Sequence, residues 1–112
     1  MIDRKKVENI IHLNDFYRLN ESTTKDDLLN VILSLSKEEL FDLCALMICG
    51  REIPKECTMS DFSKERASFL EGHDEEIPEH LANYLTHKGR KLSQYLRNSL
   101  HLLKRVNMNS NI

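Results

Sequence analysis

Five histidines offer the most obvious route to metal chemistry in this 112-residue chain. His73, His80 and His87 are spaced by seven residues, which would align them on one continuous helix. Pro78 interrupts such a helix, and no cysteine or carboxylate completes a set with the short spacing of metal ligands. The sequence therefore predicts no metal site and no bound cofactor.

The three cysteines suggest structure rather than catalysis. Cys44 and Cys49 lie in the most apolar segment and five residues apart, so they do not form a Cys-x-x-Cys pair. We expect them to be buried free thiols. Cys57 could meet a distant histidine in space, as any cysteine could in a small protein, and an enzyme using this pair is a third hypothesis. Phosphate loops, dinucleotide motifs and nucleophile elbows are missing, so we predict no catalytic residues.

An acidic cluster is the more unusual feature. Five carboxylates fall within nine residues: Glu71, Asp74, Glu75, Glu76 and Glu79. They could simply be solvated and complement the N-terminus of a helix that begins at Pro78. They could also bind a basic protein partner, for which they would steer association. The spacing lacks the pattern of a calcium loop.

The charge of the chain changes sign at Thr86. All 18 acidic residues precede it, whereas six of the 16 basic residues follow it: Lys88, Arg90, Lys91, Arg97, Lys104 and Arg105. Cations are unfavourable at the start of a helix, so the first three need an anion. The acidic cluster, a second subunit or a nucleic-acid backbone could supply it. Lys88, Arg90, Lys91 and Arg97 form the alternative site, a basic patch for nucleic acid.

Two observations count against nucleic acid as the main partner. The calculated pI is 6.2, and the formal net charge is −2. The basic patch also has a single neighbouring aromatic residue, Tyr95, which we expect to point inward.

Apolar residues recur at three- and four-residue spacing, which is the helical period, and strand patterns are almost absent. We predict an all-α protein, a compact bundle of five to six short helices packed around a central apolar helix. Residues 1–106 form the single domain, and 107–112 form a polar frayed tail. We expect a first helix over about 3–19 and a second after a Thr24 cap. The third begins at the Ser36 capping box and runs through Cys49, with Gly50 as its terminator, and the fourth runs from a Ser60 cap to Gly72. The fifth begins at Pro78 and the sixth follows Gly89.

The chain has no apolar stretch long enough to cross a bilayer and no apolar segment behind its basic N-terminal residues. We therefore expect a cytoplasmic protein without a membrane partner. A homodimer is plausible, because helices this short and apolar could leave part of a stripe uncovered.

One segment resembles a bacterial helical family of unknown function. Residues 35–51 form an acidic, Leu-rich helix that ends in Ala-Leu-Met-Ile-Cys-Gly-Arg, similar to the Ala-Leu-Met-x-x-Gly-Arg motif of that family. Residues 81–85 and 92–96 look like its second recurring block, so the similarity spans roughly 28–100. The resemblance implies a helical fold and no known activity. Glu52 departs from the small residue expected after Arg51.

In its size, its Asn/Lys-rich composition and its lack of a catalytic set, the chain is similar to small bacterial immunity proteins. In contact-dependent growth inhibition, such proteins neutralise the nuclease domain of a delivered toxin. We therefore predict a non-enzymatic protein-binding module that covers the cationic site of a nuclease toxin. The alternative is a small nucleic-acid-associated regulator.

Overall fold

Six α-helices and one short 3-10 helix make up the described part of the chain. The computed structural model describes residues 1–19 and 25–103, and for 17–19 and 25 it gives the helical backbone alone. No strand occurs in these ranges, which confirms the predicted all-α bundle. The elements are α1 (Arg4–Leu19), α2 (Lys25–Leu33), α3 (Lys37–Glu52), α4 (Met59–His73), α5 (Pro78–Thr86), α6 (Arg90–Ser99) and the 3-10 helix Leu100–Leu102.

Helix α3 is the centre of the bundle, as predicted. Every residue from Leu40 to Gly50 is buried, so the helix is covered on all sides. Helices α4, α5 and α6 pack directly on it, while α1 packs on α2 and α6, and α2 packs on α5. The core is mainly aliphatic and also buries Phe41, Phe62 and Phe69. In α1, Val7 and Ile10 are fully buried.

The predicted end of α3 at Gly50 is wrong, because the helix continues to Glu52. Gly50 serves a different purpose from a terminator. A Cβ atom at this position would lie 1.7 Å from the backbone oxygen of Tyr95 in α6. The side-chain amide of Asn98 also donates a hydrogen bond to the Gly50 carbonyl over 3.2 Å. Gly50 therefore allows the backbones of α3 and α6 to touch, whereas Gly89 has the expected role of a helix-breaking residue at φ 63° before α6.

Two helices begin with reciprocal capping boxes. At α3, the Ser36 hydroxyl accepts from the Glu39 N–H, and the Glu39 carboxylate accepts from the Ser36 N–H, as predicted. At α4, the predicted Ser60 cap is wrong, since Thr58 and Asp61 make the same pair of bonds two residues earlier. These bonds lower the pKa of Asp61, so its stabilising contribution is present above its unfolded pKa and is lost as the pH falls through the lowered value.

The start of α4 gives a direct test. Thr58→Ala should lower the free energy of unfolding by about 1 kcal/mol, because the first turn loses its cap. Ser60→Ala should change it by less than about 0.5 kcal/mol, since Ser60 is exposed inside the first turn. Urea denaturation of both variants makes the comparison. Equal losses would show that Thr58 is not the cap.

A buried carboxylate joins the N-terminal segment to α3 and α4. Asp42 lies in α3 and is 5% exposed. Its Oδ2 accepts a hydrogen bond from the Ile2 N–H over 2.8 Å, and its Oδ1 accepts from Arg66 Nε over 2.6 Å. Arg66 also donates to the side chain of Glu38. Sequence reasoning singled out neither the buried charge nor its partner.

Three predictions fall outside the described residues. They are the Thr24 cap of α2, the tail at 107–112 and the domain boundary at 106. These stay predictions.

Candidate interaction surface

The five carboxylates of the acidic cluster gather where α4 ends and α5 begins. We call them the acidic surface: Glu71, Asp74, Glu75, Glu76 and Glu79. Four of them are exposed, and Glu76 is partly buried. Among the residues that the structure describes, no cation forms an ion pair with the carboxylates of the four exposed members. The acidic surface therefore carries charges that the rest of the described chain does not neutralise.

The loop that holds these carboxylates is fixed by hydrogen bonds to the helices around it. The Lys37 ammonium, at the start of α3, donates to the backbone oxygen of Asp74 over 2.6 Å. The Glu76 N–H donates to the His73 carbonyl over 3.0 Å, which closes a turn after α4. Pro78 then occupies the first turn of α5, as predicted. These contacts define the direction in which the loop presents its side chains.

Aromatic packing supports the same loop from beneath. The imidazole of His73 stacks on the Phe69 ring with centroids 4.0 Å apart, and its Nδ1 lies 2.9 Å from the Phe69 carbonyl. Phe69 is itself held edge-on by Phe41 of the core at 6.0 Å and contacts Tyr84 of α5 at 5.7 Å. The end of α4 and the start of α5 are thus tied to the core, and the loop between them has a rigid base.

Glu76 differs from the other carboxylates because two histidines flank it. Its oxygens lie 3.9 Å from His73 Nε2 and 3.8 Å from His80 Nδ1, so protonated imidazoles would pair with it. As the position of Pro78 predicts, the three histidines do not lie on one continuous helix: His73 ends α4, His80 lies in α5, and the exposed His87 follows α5. The described residues contain no group of three or more metal-ligand side chains close enough to hold an ion.

Ile77 is an exposed apolar residue within the stretch of chain that carries the acidic surface. It is the N-cap residue of α5 and is 50% exposed, although large aliphatic side chains are usually buried. Its extended backbone, at φ −76° and ψ 153°, is the conformation that a following proline requires. The chain therefore exposes a large apolar side chain between Glu76 and Glu79 in sequence, a position that sequence reasoning did not single out.

The basic patch is largely engaged within the chain. The Lys88 ammonium lies 4.4 Å from the centroid of the Tyr84 ring, a cation–π contact, and the Arg97 guanidinium pairs with Asp15 of α1. Arg90 and Lys91 are exposed. Between the acidic surface and the basic patch, the described residues make no ion pair, so the predicted neutralisation of one by the other is not seen as a direct contact.

The predicted burial of the cysteines is confirmed, and Cys57 is buried as well. Burial raises the pKa of the Cys44 and Cys49 thiols to about 12 and raises that of Cys57. The structure does bring a histidine to Cys57, with His101 Nε2 at 3.8 Å from its Sγ. The same Nε2 lies 2.7 Å from the Cys57 carbonyl, which can only accept, so it carries a proton and cannot take one from the thiol. This arrangement favours the protonated thiol over a nucleophilic thiolate.

Comparison with known proteins gives no relative. No protein-family model matches the chain, and neither the curated proteins nor the solved structures contain a significant match. The resemblances to the bacterial helical family and to immunity proteins therefore stay predictions. Arg51, which ends the motif of that family, is partly buried, and its guanidinium lies 3.4 Å from the Glu52 carboxylate. Among the described residues, no helix is both long and apolar enough to cross a membrane.

Proposed function

We propose that this protein is a non-enzymatic binding module whose acidic surface covers a cationic site on a partner protein. The partner class that fits best is a nuclease toxin domain, which makes this chain an immunity protein. An enzyme that cleaves nucleic acid must attract a polyanion, so its active site is cationic, and a surface of fixed carboxylates can occupy it.

One observation carries this proposal: a hydrogen-bonded loop and the two helix ends beside it present exposed carboxylates that make no ion pair within the described residues, and the same stretch of chain exposes Ile77. Protein interfaces combine an apolar anchor with a polar rim, and the acidic surface has both. Because the loop is fixed by Lys37, His73 and the aromatic packing, little conformational entropy is lost when a partner binds.

The distribution of free charge favours this proposal over the nucleic-acid alternative. Two of the four members of the basic patch, Lys88 and Arg97, already have partners in the chain. A phosphate backbone would have to compete with Tyr84 for Lys88 and to share Arg97 with Asp15, and the affinity of such binding scales with the number of phosphates neutralised. The first experiment is to measure the affinity for the protein encoded immediately upstream. The proposal fails if that protein is not a basic nuclease or does not bind.

Charge reversal tests the role of the carboxylates. The double variant Glu75→Lys/Glu79→Lys should slow association with the toxin domain about tenfold or more at low salt, because the acidic surface steers the encounter. The difference should shrink as salt is added. Stopped-flow binding at several salt concentrations measures both effects.

A matched control is available at the other end of α4. Glu52→Lys/Glu56→Lys changes the net charge by the same amount, and the 15 residues of α4 place it roughly 22 Å away, which exceeds the screening length of about 8–10 Å at the 0.1–0.15 M salt where the two double variants are compared. Its association rate should stay within about twofold of the unmodified protein. Equal slowing by both double variants would show that overall charge, and not the acidic surface, drives association.

Ile77 tests the apolar part of the interface separately. Ile77→Ala should weaken binding by about 1–2 kcal/mol through faster dissociation, since the side chain would be buried by the partner. Met59→Ala is the control, because Met59 is similarly exposed, at 47%, at the far end of α4. Surface plasmon resonance gives both rate constants. Unchanged dissociation for Ile77→Ala would place the isoleucine outside the interface.

A further inference from the structure

A second surface feature lies at the opposite end of α4 from the acidic surface, between the loop after α3 and helix α6. It is a cavity of about 560 Å³ lined by Pro54, Lys55, Gln94, Arg97 and Asn98. This volume is within the range of small-molecule sites in proteins. Nothing in the proposed toxin-binding role uses these residues.

One wall of the cavity is held in an unfavourable conformation. Lys55 has φ 66° and is the one residue other than glycine with positive φ in the described parts of the chain. Asparagine and glycine adopt this region much more readily than lysine does. Tertiary contacts hold it there, since the Lys55 N–H donates to the Asn98 carbonyl over 3.0 Å, and the Asn98 amide donates to the Gly50 carbonyl. The fold therefore places a lysine on this wall at a conformational cost.

The cavity also brings two cations together. Arg97 uses one guanidinium nitrogen, Nη2, for Asp15, and a guanidinium has further N–H donors. Within the described residues, the Lys55 ammonium forms no ion pair. Lys55 of the loop and Arg97 of α6 both line the cavity, so an anion bound there would be attracted by the Lys55 ammonium and by the part of the Arg97 charge that Asp15 does not offset. The exposed amide of Gln94, also on α6, lines the same cavity and can donate to an oxyanion.

We propose that this cavity binds the phosphate group of a small molecule. A guanidinium, an ammonium and an amide together offer N–H donors to several phosphate oxygens, and the Lys55 ammonium adds a positive charge that favours an anion. A monocarboxylate has two oxygens and a single charge, so it leaves part of this donor set unused. Asn98 is a positioning residue. Its backbone carbonyl accepts from the Lys55 N–H, and its side-chain amide donates to the Gly50 carbonyl.

Amide chemical shifts of the full chain, titrated with inorganic phosphate and separately with acetate at constant ionic strength, test the proposal. We expect saturable shifts at Lys55, Gln94 and Asn98 with millimolar phosphate, and weaker binding of acetate. Lys55→Asn should weaken phosphate binding about tenfold and leave the melting temperature unchanged or higher, since asparagine tolerates the positive φ. The isosteric Gln94→Glu, at an exposed helical position, should abolish binding.

Lys91→Gln is the matched control, because it removes one exposed cation elsewhere on α6 and should change the phosphate affinity by less than about twofold. Three results would overturn the proposal. The first is the absence of saturable shifts at the cavity. The second is acetate binding as tightly as phosphate. The third is an equal loss of affinity in Lys91→Gln and Lys55→Asn, which would reveal diffuse charge attraction. None of them bears on the acidic surface, so the toxin-binding proposal is tested independently.

Discussion

Gly50→Ala is expected to lower the free energy of unfolding by about 3 kcal/mol or more, at the upper end of the range for overpacked cores. The added Cβ would lie 1.7 Å from the backbone oxygen of Tyr95, where ordinary contact requires about twice that distance. Backbone atoms cannot rotate away as a side chain can, so α3 and α6 would have to separate. Separation would also weaken the hydrogen bond from Asn98 to the Gly50 carbonyl. Total stabilities of small domains are about 5–15 kcal/mol, so this one methyl group removes a large share.

Gly72→Ala provides the matched control. Gly72 also lies within a helix, yet a Cβ there would meet no heavy atom within 4 Å. Alanine is the better helix former, so this variant should be neutral or up to about 1 kcal/mol more stable. Urea denaturation followed by circular dichroism compares the two. Similar midpoints for both variants would mean that α3 and α6 do not approach as closely as described.

Asp42→Ala is expected to have the second largest effect, a loss of about 2–3 kcal/mol in the free energy of unfolding. The change leaves the Ile2 N–H and the Arg66 guanidinium without their shared acceptor. Breaking a fully buried ion pair costs about 3–5 kcal/mol. The loss expected here, about 2–3 kcal/mol, is smaller because the side chain of Arg66 is 23% exposed and partly screened by solvent.

Two further variants test why Asp42→Ala lowers the free energy of unfolding. Asp42→Asn keeps the shape of the side chain but turns one acceptor into a donor that faces either the Ile2 N–H or Arg66. It should therefore lower the free energy of unfolding by at least half as much as Asp42→Ala. Glu52→Ala removes an exposed carboxylate that pairs with Arg51, and its effect should stay within about 0.5 kcal/mol. Equilibrium denaturation of Asp42→Ala, Asp42→Asn and Glu52→Ala gives the three free energies of unfolding for this comparison. Full stability of Asp42→Asn would show that the charge of Asp42 is not required.

The local features of the fold were predictable because they depend on neighbours in sequence. Ser36 and Glu39 form a capping box through bonds that span three residues. Pro78 begins α5, and Gly89 separates it from α6, for reasons of backbone geometry alone. The Ser60 cap was wrong for an equally local reason, since Thr58 with Asp61 makes a better reciprocal pair.

The candidate surface was predictable in position but not in character. The acidic cluster was visible as a run of carboxylates, and its loop lies where the sequence predicted. Its support depends on Lys37 of α3 and on the packing of Phe69 against Phe41 of α3 and Tyr84 of α5. The exposure of Ile77 could not be foreseen either, because isoleucine is usually buried and only the packing of the other helices leaves it uncovered.

By itself, the sequence determined the helical class, the central place of α3 and the separation of acidic from basic charge along the chain. Those properties follow from hydrophobic periodicity and from the order of residues. Only the tertiary structure decided which charges remain available to a partner. Arg97 meets Asp15 and Asp42 meets Arg66 across long separations in sequence, while the acidic surface is left open. Tertiary packing also decides the role of Gly50, because its contact is with α6. No local sequence pattern encodes which helix packs against this residue.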